Sequence, residues 1–223
     1  MNGYLRLIEP VAALLVRLGV SPNVLTSVGT LCTVSGGLAF ATGHIRTAGW
    51  IIGLTAIFDV LDGTIARRTG KATVFGAFYD STLDRIADGA LLGGISWFYA
   101  TSAVYANRWM LAVAILGIAG TFLVSYTRAR AEALGIDAKV GVMQRPERVT
   151  LLSAPQAFFG LALGGWIFAA VVAILAVTAW ITAVQRILFV RRSSLNEIAT
   201  PLTILNNVMT PSETQPASRR AQS

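Results

Sequence analysis

Five aspartates lie close together in one stretch of an otherwise apolar chain. Asp59 and Asp62 are three residues apart, and Asp80, Asp84 and Asp88 follow at intervals of four. Residues three or four apart lie on the same face of a helix, so each set presents its carboxylates together. Carboxylate oxygens are hard ligands that suit Mg²⁺, Mn²⁺ or Ca²⁺. The spacing predicts a divalent-metal site formed by Asp59, Asp62, Asp80 and Asp84 between two helices.

The surroundings of these aspartates are expected to be a membrane. Of the 223 residues 54% are hydrophobic and 13% are charged, and the mean hydropathy is +0.64, which is typical of a membrane protein. A carboxylate at the bilayer centre costs about 2.5–3.5 kcal/mol, so a cluster of four needs compensating charge. Bound cations would supply it. Two other interpretations of the spacing are ion pairs with nearby arginines in a hydrated gap, and an acidic pathway in an ion-coupled transporter.

The net charge of +7 and the single cysteine exclude several classes of function. In a chain this apolar, basic residues set the membrane topology and contact anionic lipids, so membrane lipids are expected as partners and nucleic acid is not. Cys32 alone cannot form an intrachain disulfide, a thiolate zinc cluster or a CxxC redox site.

Apolar segments of membrane-spanning length position the aspartates. We predict an all-α integral membrane protein with a membrane domain over residues 1–192 and a polar, disordered tail over 193–223. Residues 1–20 are expected to form an amphipathic helix in the membrane interface. Asp62 and Asp80 would lie roughly 8 and 9 Å from the cytoplasmic ends of their helices, at matched depth. The six predicted spans, all within 24–190, are 24–42, 48–67, 74–100, 108–134, 149–163 and 166–190.

The basic residues predict the orientation of these spans. Arg46 and Arg108 are the only two of the 18 lysines and arginines in the links predicted to face outward. Lys and Arg accumulate on the cytoplasmic side of a membrane. We therefore expect a multi-pass protein of the plasma membrane with both termini in the cytoplasm.

The aspartates also belong to a longer motif. Residues 59–84 read DxxDGxxAR, then eight residues, then GxxxDxxxD. This pattern resembles the signature of the CDP-alcohol phosphatidyltransferase family. The resemblance implies six transmembrane helices, an N-terminal interfacial helix and a homodimer. It also implies a reaction at two Mg²⁺ or Mn²⁺ ions, in which an acceptor hydroxyl attacks the β-phosphorus of CDP-diacylglycerol and CMP leaves. The matching residues are Asp59, Asp62, Gly63, Ala66, Arg67, Gly76, Asp80 and Asp84.

The resemblance also assigns roles to residues of the motif. Asp59, Asp62 and Asp80 would bind metal, and Asp84 would both bind metal and act as the general base. Asp88 lies outside the motif, and we interpret it as a helix partner of Arg85. The CDP-lipid would be bound by Asp62, Gly63, Ala66, Arg67 and Gly76.

A second cluster of arginines bears on the acceptor. Arg128, Arg130, Arg145, Arg148 and Arg186 are predicted to converge on one cytoplasmic cavity, and guanidinium groups suit a dianionic phosphate.

The segments SYTRARAE, RPER and VQR, which contain all five of these arginines, resemble those of the phosphatidylinositol phosphate synthases of actinobacteria. That resemblance implies an acceptor pocket formed by Arg128, Arg148 and Arg186, with Arg128 in place of a lysine. Inositol 1-phosphate is the expected acceptor. Glycerol 3-phosphate, which would make the enzyme a phosphatidylglycerophosphate synthase, is the alternative.

Overall fold

The computed structural model describes residue 17 and residues 19–56 and 73–209, with side chains described up to Leu195. Every regular element in these ranges is helical, which confirms the predicted all-α class. The helices are α1 (Pro22–Ala41), α2 (helical over 45–56), α3 (Val74–Thr101), α4 (Arg108–Ala133), α5 (Arg145–Phe159), a 3₁₀ helix (Ala162–Gly165) and α6 (Trp166–Met209).

Polar caps set where the helices begin. The hydroxyl of Ser21 accepts a hydrogen bond from the N–H of Val24 at the start of α1, and Asn107 caps α4 in the same way. Thr73 caps α3 by accepting from the N–H of Gly76 at 2.9 Å. Such caps satisfy backbone donors that the first turn leaves unpaired. The cap at Thr73 therefore fixes the start of the helix that carries Asp80 and Asp84.

Three helices in the described part of the chain are long and apolar enough to cross a membrane. They are Pro22–Ala41, Arg108–Ala133 and Ala162–Leu195, with mean hydropathies of 1.6, 1.9 and 2.5. Helix α3 has 28 residues but carries charged side chains through its first half, and α5 has only 15 residues. These features indicate a multi-pass membrane protein. The predicted interfacial helix, apart from its last residues, and the end of the predicted second span lie outside the described residues.

The apolar core lies at the half of α3 farther from the aspartates. The buried side chains of α3 begin at Ala87, and Ile95 is completely buried. Phe168 of α6 stacks against Phe40 of α1 and Tyr99 of α3, with ring centroids 5.5 and 5.7 Å apart. One half of α3 is thus fixed by packing, and the other half can line a polar cavity.

Gly94 lets α1 and α3 approach closely. A Cβ atom at this position would lie 2.0 Å from the carbonyl oxygen of Gly37. We expect Gly94→Ala to destabilise the protein by about 1–3 kcal/mol because backbone atoms cannot give way as a flexible side chain can. Gly93→Ala is the matched control, since a Cβ there meets nothing within 4 Å. The apparent melting temperature of the purified protein checks this, and equal values for the two variants would contradict it.

The predicted boundaries that differ most from the structure are the end of α6 and both ends of α5. Helix α6 continues to Met209, so the tail predicted to be disordered from Ser193 begins as helix. Leu195, Ile198, Leu202 and Leu205 recur three or four residues apart, and this apolar period favours a helix despite the polar composition. Helix α5 begins four residues before the predicted fifth span, because Gln144 and Glu147 form a capping box.

Candidate active site

A cavity of about 750 Å³ opens between the first half of α3, the end of α4, the start of α5 and α6. Half of its charged lining residues were predicted to be metal or phosphate ligands. Asp80 and Asp84 lie on one side, and Arg128, Arg148 and Arg186 also line it. The structure thus brings two of the predicted metal ligands and all three predicted phosphate ligands into one space. The other charged residues that line it are Arg85, Asp88, Glu132, Lys139 and Arg145.

The acidic side of the cavity is one face of α3. Asp80 is exposed, whereas the side chain of Asp84 is only 18% exposed. Arg145 at the start of α5 forms an ion pair with Asp84, with 2.7 Å between Nη2 and Oδ1. The sequence placed Arg145 in the basic cluster but gave no sign that it contacts the predicted general base. This ion pair joins α3 to α5 at the cavity.

Asp88 has a different partner from the one predicted. Its Oδ2 accepts a hydrogen bond from Nη2 of Arg148 at 3.3 Å. Arg85, its expected partner, instead donates to the carbonyl oxygen of Ser81 one turn back on its own helix. The prediction failed because it considered only pairs within one helix, whereas α5 brings an arginine 60 residues away in sequence to Asp88.

The basic side of the cavity contains three arginines in different environments. Arg128 is half-exposed and donates from Nε to Oε1 of Glu132 at 2.9 Å. Arg186 is only 5% exposed, and it donates from Nε to the carbonyl of Val140 at 2.9 Å and from Nη1 to that of Val124 at 2.5 Å. Arg186 therefore fastens the loop between α4 and α5, a role that the sequence did not reveal.

The loop over residues 134–144 contributes to the cavity a lysine that was not predicted from the sequence. Lys139 lines the cavity and pairs with Asp137 at 2.9 Å. A second bond, from the N–H of Val142 to Oε1 of Gln185 at 3.1 Å, helps to hold this loop against α6. By contrast, Arg130 is exposed and does not line the cavity. Arg128 and Lys139 line the cavity and Arg130 does not, so basic character alone does not identify the residues that reach the site.

The described residues include two of the four predicted metal ligands. Asp80 and Asp84 present carboxylates from one helix face to the cavity, and oxygen donors of this kind fit Mg²⁺ or Mn²⁺. No group of three or more His, Cys, Asp and Glu side chains suited to a metal occurs within 19–56 and 73–195. The other two predicted ligands, Asp59 and Asp62, and the predicted lipid-binding residues Gly63, Ala66 and Arg67 lie in residues 57–72, outside the described part.

Gly76, the remaining residue of the motif, lies in the first turn of α3. Its N–H donates to the cap of that helix, and a Cβ there would lie 3.1 Å from Oγ1 of Thr73 and 3.4 Å from Oδ1 of Asn23. A larger side chain would therefore crowd the cap one turn before Asp80.

Comparisons with known proteins identify a family that covers most of the chain. The model of the CDP-alcohol phosphatidyltransferase family matches residues 19–190. A phosphatidylinositol phosphate synthase of Streptomyces avermitilis is 38% identical over 200 residues, covering 86% of this chain and 80% of the relative.

Solved structures of the Mycobacterium tuberculosis phosphatidylinositol phosphate synthase share the fold. The structure with CDP-DAG bound has a TM-score of 0.76 and 34% identity, and the match covers 83% of this chain and 94% of that one. The structure in complex with manganese and citrate has a TM-score of 0.74 and 34% identity, over 81% and 87% of the two chains. The chain is a member of the CDP-alcohol phosphatidyltransferase family.

Proposed function

We propose that this protein is a phosphatidylinositol phosphate synthase. It transfers the phosphatidyl group of CDP-diacylglycerol to a hydroxyl of inositol 1-phosphate and releases CMP. The observation that carries the proposal is the single cavity that joins Asp80 and Asp84 to Arg128, Arg148 and Arg186. Relatives named phosphatidylinositol phosphate synthase are similar over most of the chain, and the fold matches that of a synthase solved with CDP-DAG bound.

The aspartates form the reacting end of the site. Asp59, Asp62, Asp80 and Asp84 would hold two Mg²⁺ or Mn²⁺ ions, which when bound supply positive charge to the phosphate oxygens. Asp84 accepts the proton of the acceptor hydroxyl as that oxygen bonds to phosphorus and CMP leaves with the electrons of the broken bond. The contact with Arg145 orients the Asp84 carboxylate. Asp62, Gly63, Ala66, Arg67 and Gly76 would bind the CDP-lipid.

The arginines select the acceptor by its phosphate. Arg128, Arg148 and Arg186 present guanidinium groups from three helices to the same cavity, and forked donors match phosphate oxygens in geometry as well as charge. Both inositol 1-phosphate and glycerol 3-phosphate carry such a group. Arg128 stands where the similar synthases are expected to have lysine, which keeps the charge but changes the geometry of the donors. Glycerol 3-phosphate is therefore retained as the second candidate acceptor.

We also propose a wider organisation for this enzyme. The proposed enzyme is a homodimer of the plasma membrane, with six spans per chain over residues 24–190 and an interfacial helix over 1–20. The membrane domain ends near residue 192, and both termini face the cytoplasm. Three apolar helices and the distribution of lysine and arginine along the chain support this arrangement.

An acceptor comparison tests the function. Purified protein in lipid nanodiscs is given CDP-diacylglycerol, Mg²⁺ or Mn²⁺, and either radiolabelled inositol 1-phosphate or radiolabelled glycerol 3-phosphate. We expect CMP release and a labelled lipid with inositol 1-phosphate, and no product with excess chelator. A labelled lipid from glycerol 3-phosphate alone would identify a phosphatidylglycerophosphate synthase. No CMP release with any acceptor would contradict the enzyme assignment and favour a transporter.

A further inference from the structure

Asp88 is an acidic residue in the cavity that neither the metal site nor the CDP-lipid pocket uses. It lies one turn beyond Asp84 on the same face of α3, toward the apolar core. Its side chain is 17% exposed, and that of its partner Arg148 is 14% exposed. A charge this far from water needs a specific reason to be retained.

The Asp88–Arg148 pair forms the boundary between polar and apolar space. Both residues line the large cavity, and both also line a small cavity of about 30 Å³ beneath it. The remaining lining of that small cavity is mostly apolar, including Leu92, Leu152 and Leu175. The guanidinium of Arg148 is therefore held at the floor of the cavity, with apolar side chains below it.

A second ion pair fixes the register of this contact. Asp84 and Asp88 are one turn apart on α3, and their partners Arg145 and Arg148 are one turn apart on α5. The two pairs therefore form consecutive rungs between the helices. If Asp88 were neutral, the nearest carboxylate on the same face for Arg148 would be Asp84, which the reaction requires as a base.

We propose that Asp88 is a positioning residue, which holds the Arg148 guanidinium in the orientation that binds the phosphate of the acceptor. Arginine has many rotamers, and fixing it before the ligand arrives lowers the entropy cost of binding. Asp88 also balances one positive charge at a place where Arg148 and Arg186 share the cavity. This inference rests on the proposed function, because it concerns the phosphate of the acceptor.

The test measures KM for the acceptor in variants of Asp88. Asp88→Asn removes the charge but retains an oxygen that can accept a hydrogen bond, so we expect KM to rise about fivefold to tenfold with kcat little changed. Asp88→Ala removes the acceptor as well and should raise KM further. KM for CDP-diacylglycerol should stay constant. Asp137→Asn is the control, since this carboxylate is 64% exposed and does not line the cavity.

A double-variant cycle separates positioning from a general loss of structure. In the Arg148→Ala background, Asp88→Asn should change acceptor KM little, because the residue it positions is gone. Binding of inorganic phosphate, measured by calorimetry without turnover, should weaken in Asp88→Asn as KM rises. An unchanged or lower acceptor KM, or the same fold-change in both backgrounds, would overturn the inference.

Failure of the proposed function can be distinguished from failure of the inference about Asp88. If the wild type used glycerol 3-phosphate and not inositol 1-phosphate, the proposed acceptor would be wrong. The effect of Asp88→Asn would still be measured on the KM for glycerol 3-phosphate. If no acceptor were used, calorimetry with inorganic phosphate would still compare Asp88→Asn with the wild type, and equal affinities would overturn the inference.

Discussion

Asp84→Asn is expected to lower kcat by at least about a thousandfold, since general-base catalysis alone contributes about 10²–10⁴ and the proposed metal site would lose a charged ligand as well. Asparagine has nearly the same size and can still accept a hydrogen bond from Arg145, whose Nη2 lies 2.7 Å from Asp84 Oδ1. The change therefore removes the proton acceptor and the negative charge while disturbing the packing little.

The matched control for this variant is Asp137→Asn, a change of the same type at an exposed carboxylate outside the cavity. Release of CMP from CDP-diacylglycerol gives kcat, and Mn²⁺ binding followed by electron paramagnetic resonance reports the metal site independently of turnover. We expect weaker Mn²⁺ binding in Asp84→Asn only. A kcat within about tenfold of the wild type would exclude Asp84 as the general base, because so small a loss is below what such a base contributes.

The sequence predicts the part of the site that depends only on the spacing of residues along one helix. Asp80 and Asp84 are four residues apart, and a helix places such residues on one face in any fold. In the structure both residues line the same cavity. The predicted meeting of this face with Asp59 and Asp62 involves residues 57–72, outside the described part, and it remains a prediction.

The partners of the charged residues could not be predicted, because they depend on how helices distant in sequence pack. Asp88 and Arg148 are 60 residues apart, and the carbonyl of Val124 that accepts from Arg186 is 62 residues away. Composition shows only that an arginine is present. Its function depends on which carboxylates and carbonyls surround it after folding, and this is why Arg85 was paired wrongly with Asp88.

The helix boundaries show a similar limit. Predicted starts at residues 74, 108 and 166 agree with α3, α4 and α6 because Thr73, Asn107 and a glycine pair precede them. The end of α6 was placed too early, since polar composition was given more weight than the apolar period beyond Ser193. Helix caps are thus better local signals than a change in polarity.

Arg148→Ala is expected to raise the acceptor KM roughly tenfold to a hundredfold, because a charge-assisted hydrogen bond to phosphate is worth about 1.5–3 kcal/mol. Turnover should persist, since Arg128 and Arg186 also line the cavity. Arg148 is a cleaner test of the acceptor pocket than Arg186, whose loss would also release the carbonyls of Val140 and Val124 and loosen the adjoining loop.

Two controls define what this result means. Arg191→Ala removes the same charge from an exposed position on α6 outside the cavity, and KM should not change. Arg148→Ala also leaves the carboxylate of Asp88 without its partner, at only 17% exposure, and we expect this to lower stability by itself. The variant with both Arg148→Ala and Asp88→Asn removes that charge. If the double variant regains stability but keeps the high acceptor KM, the missing guanidinium causes the loss of affinity. A normal acceptor KM in Arg148→Ala or in the double variant would exclude Arg148 from the phosphate pocket.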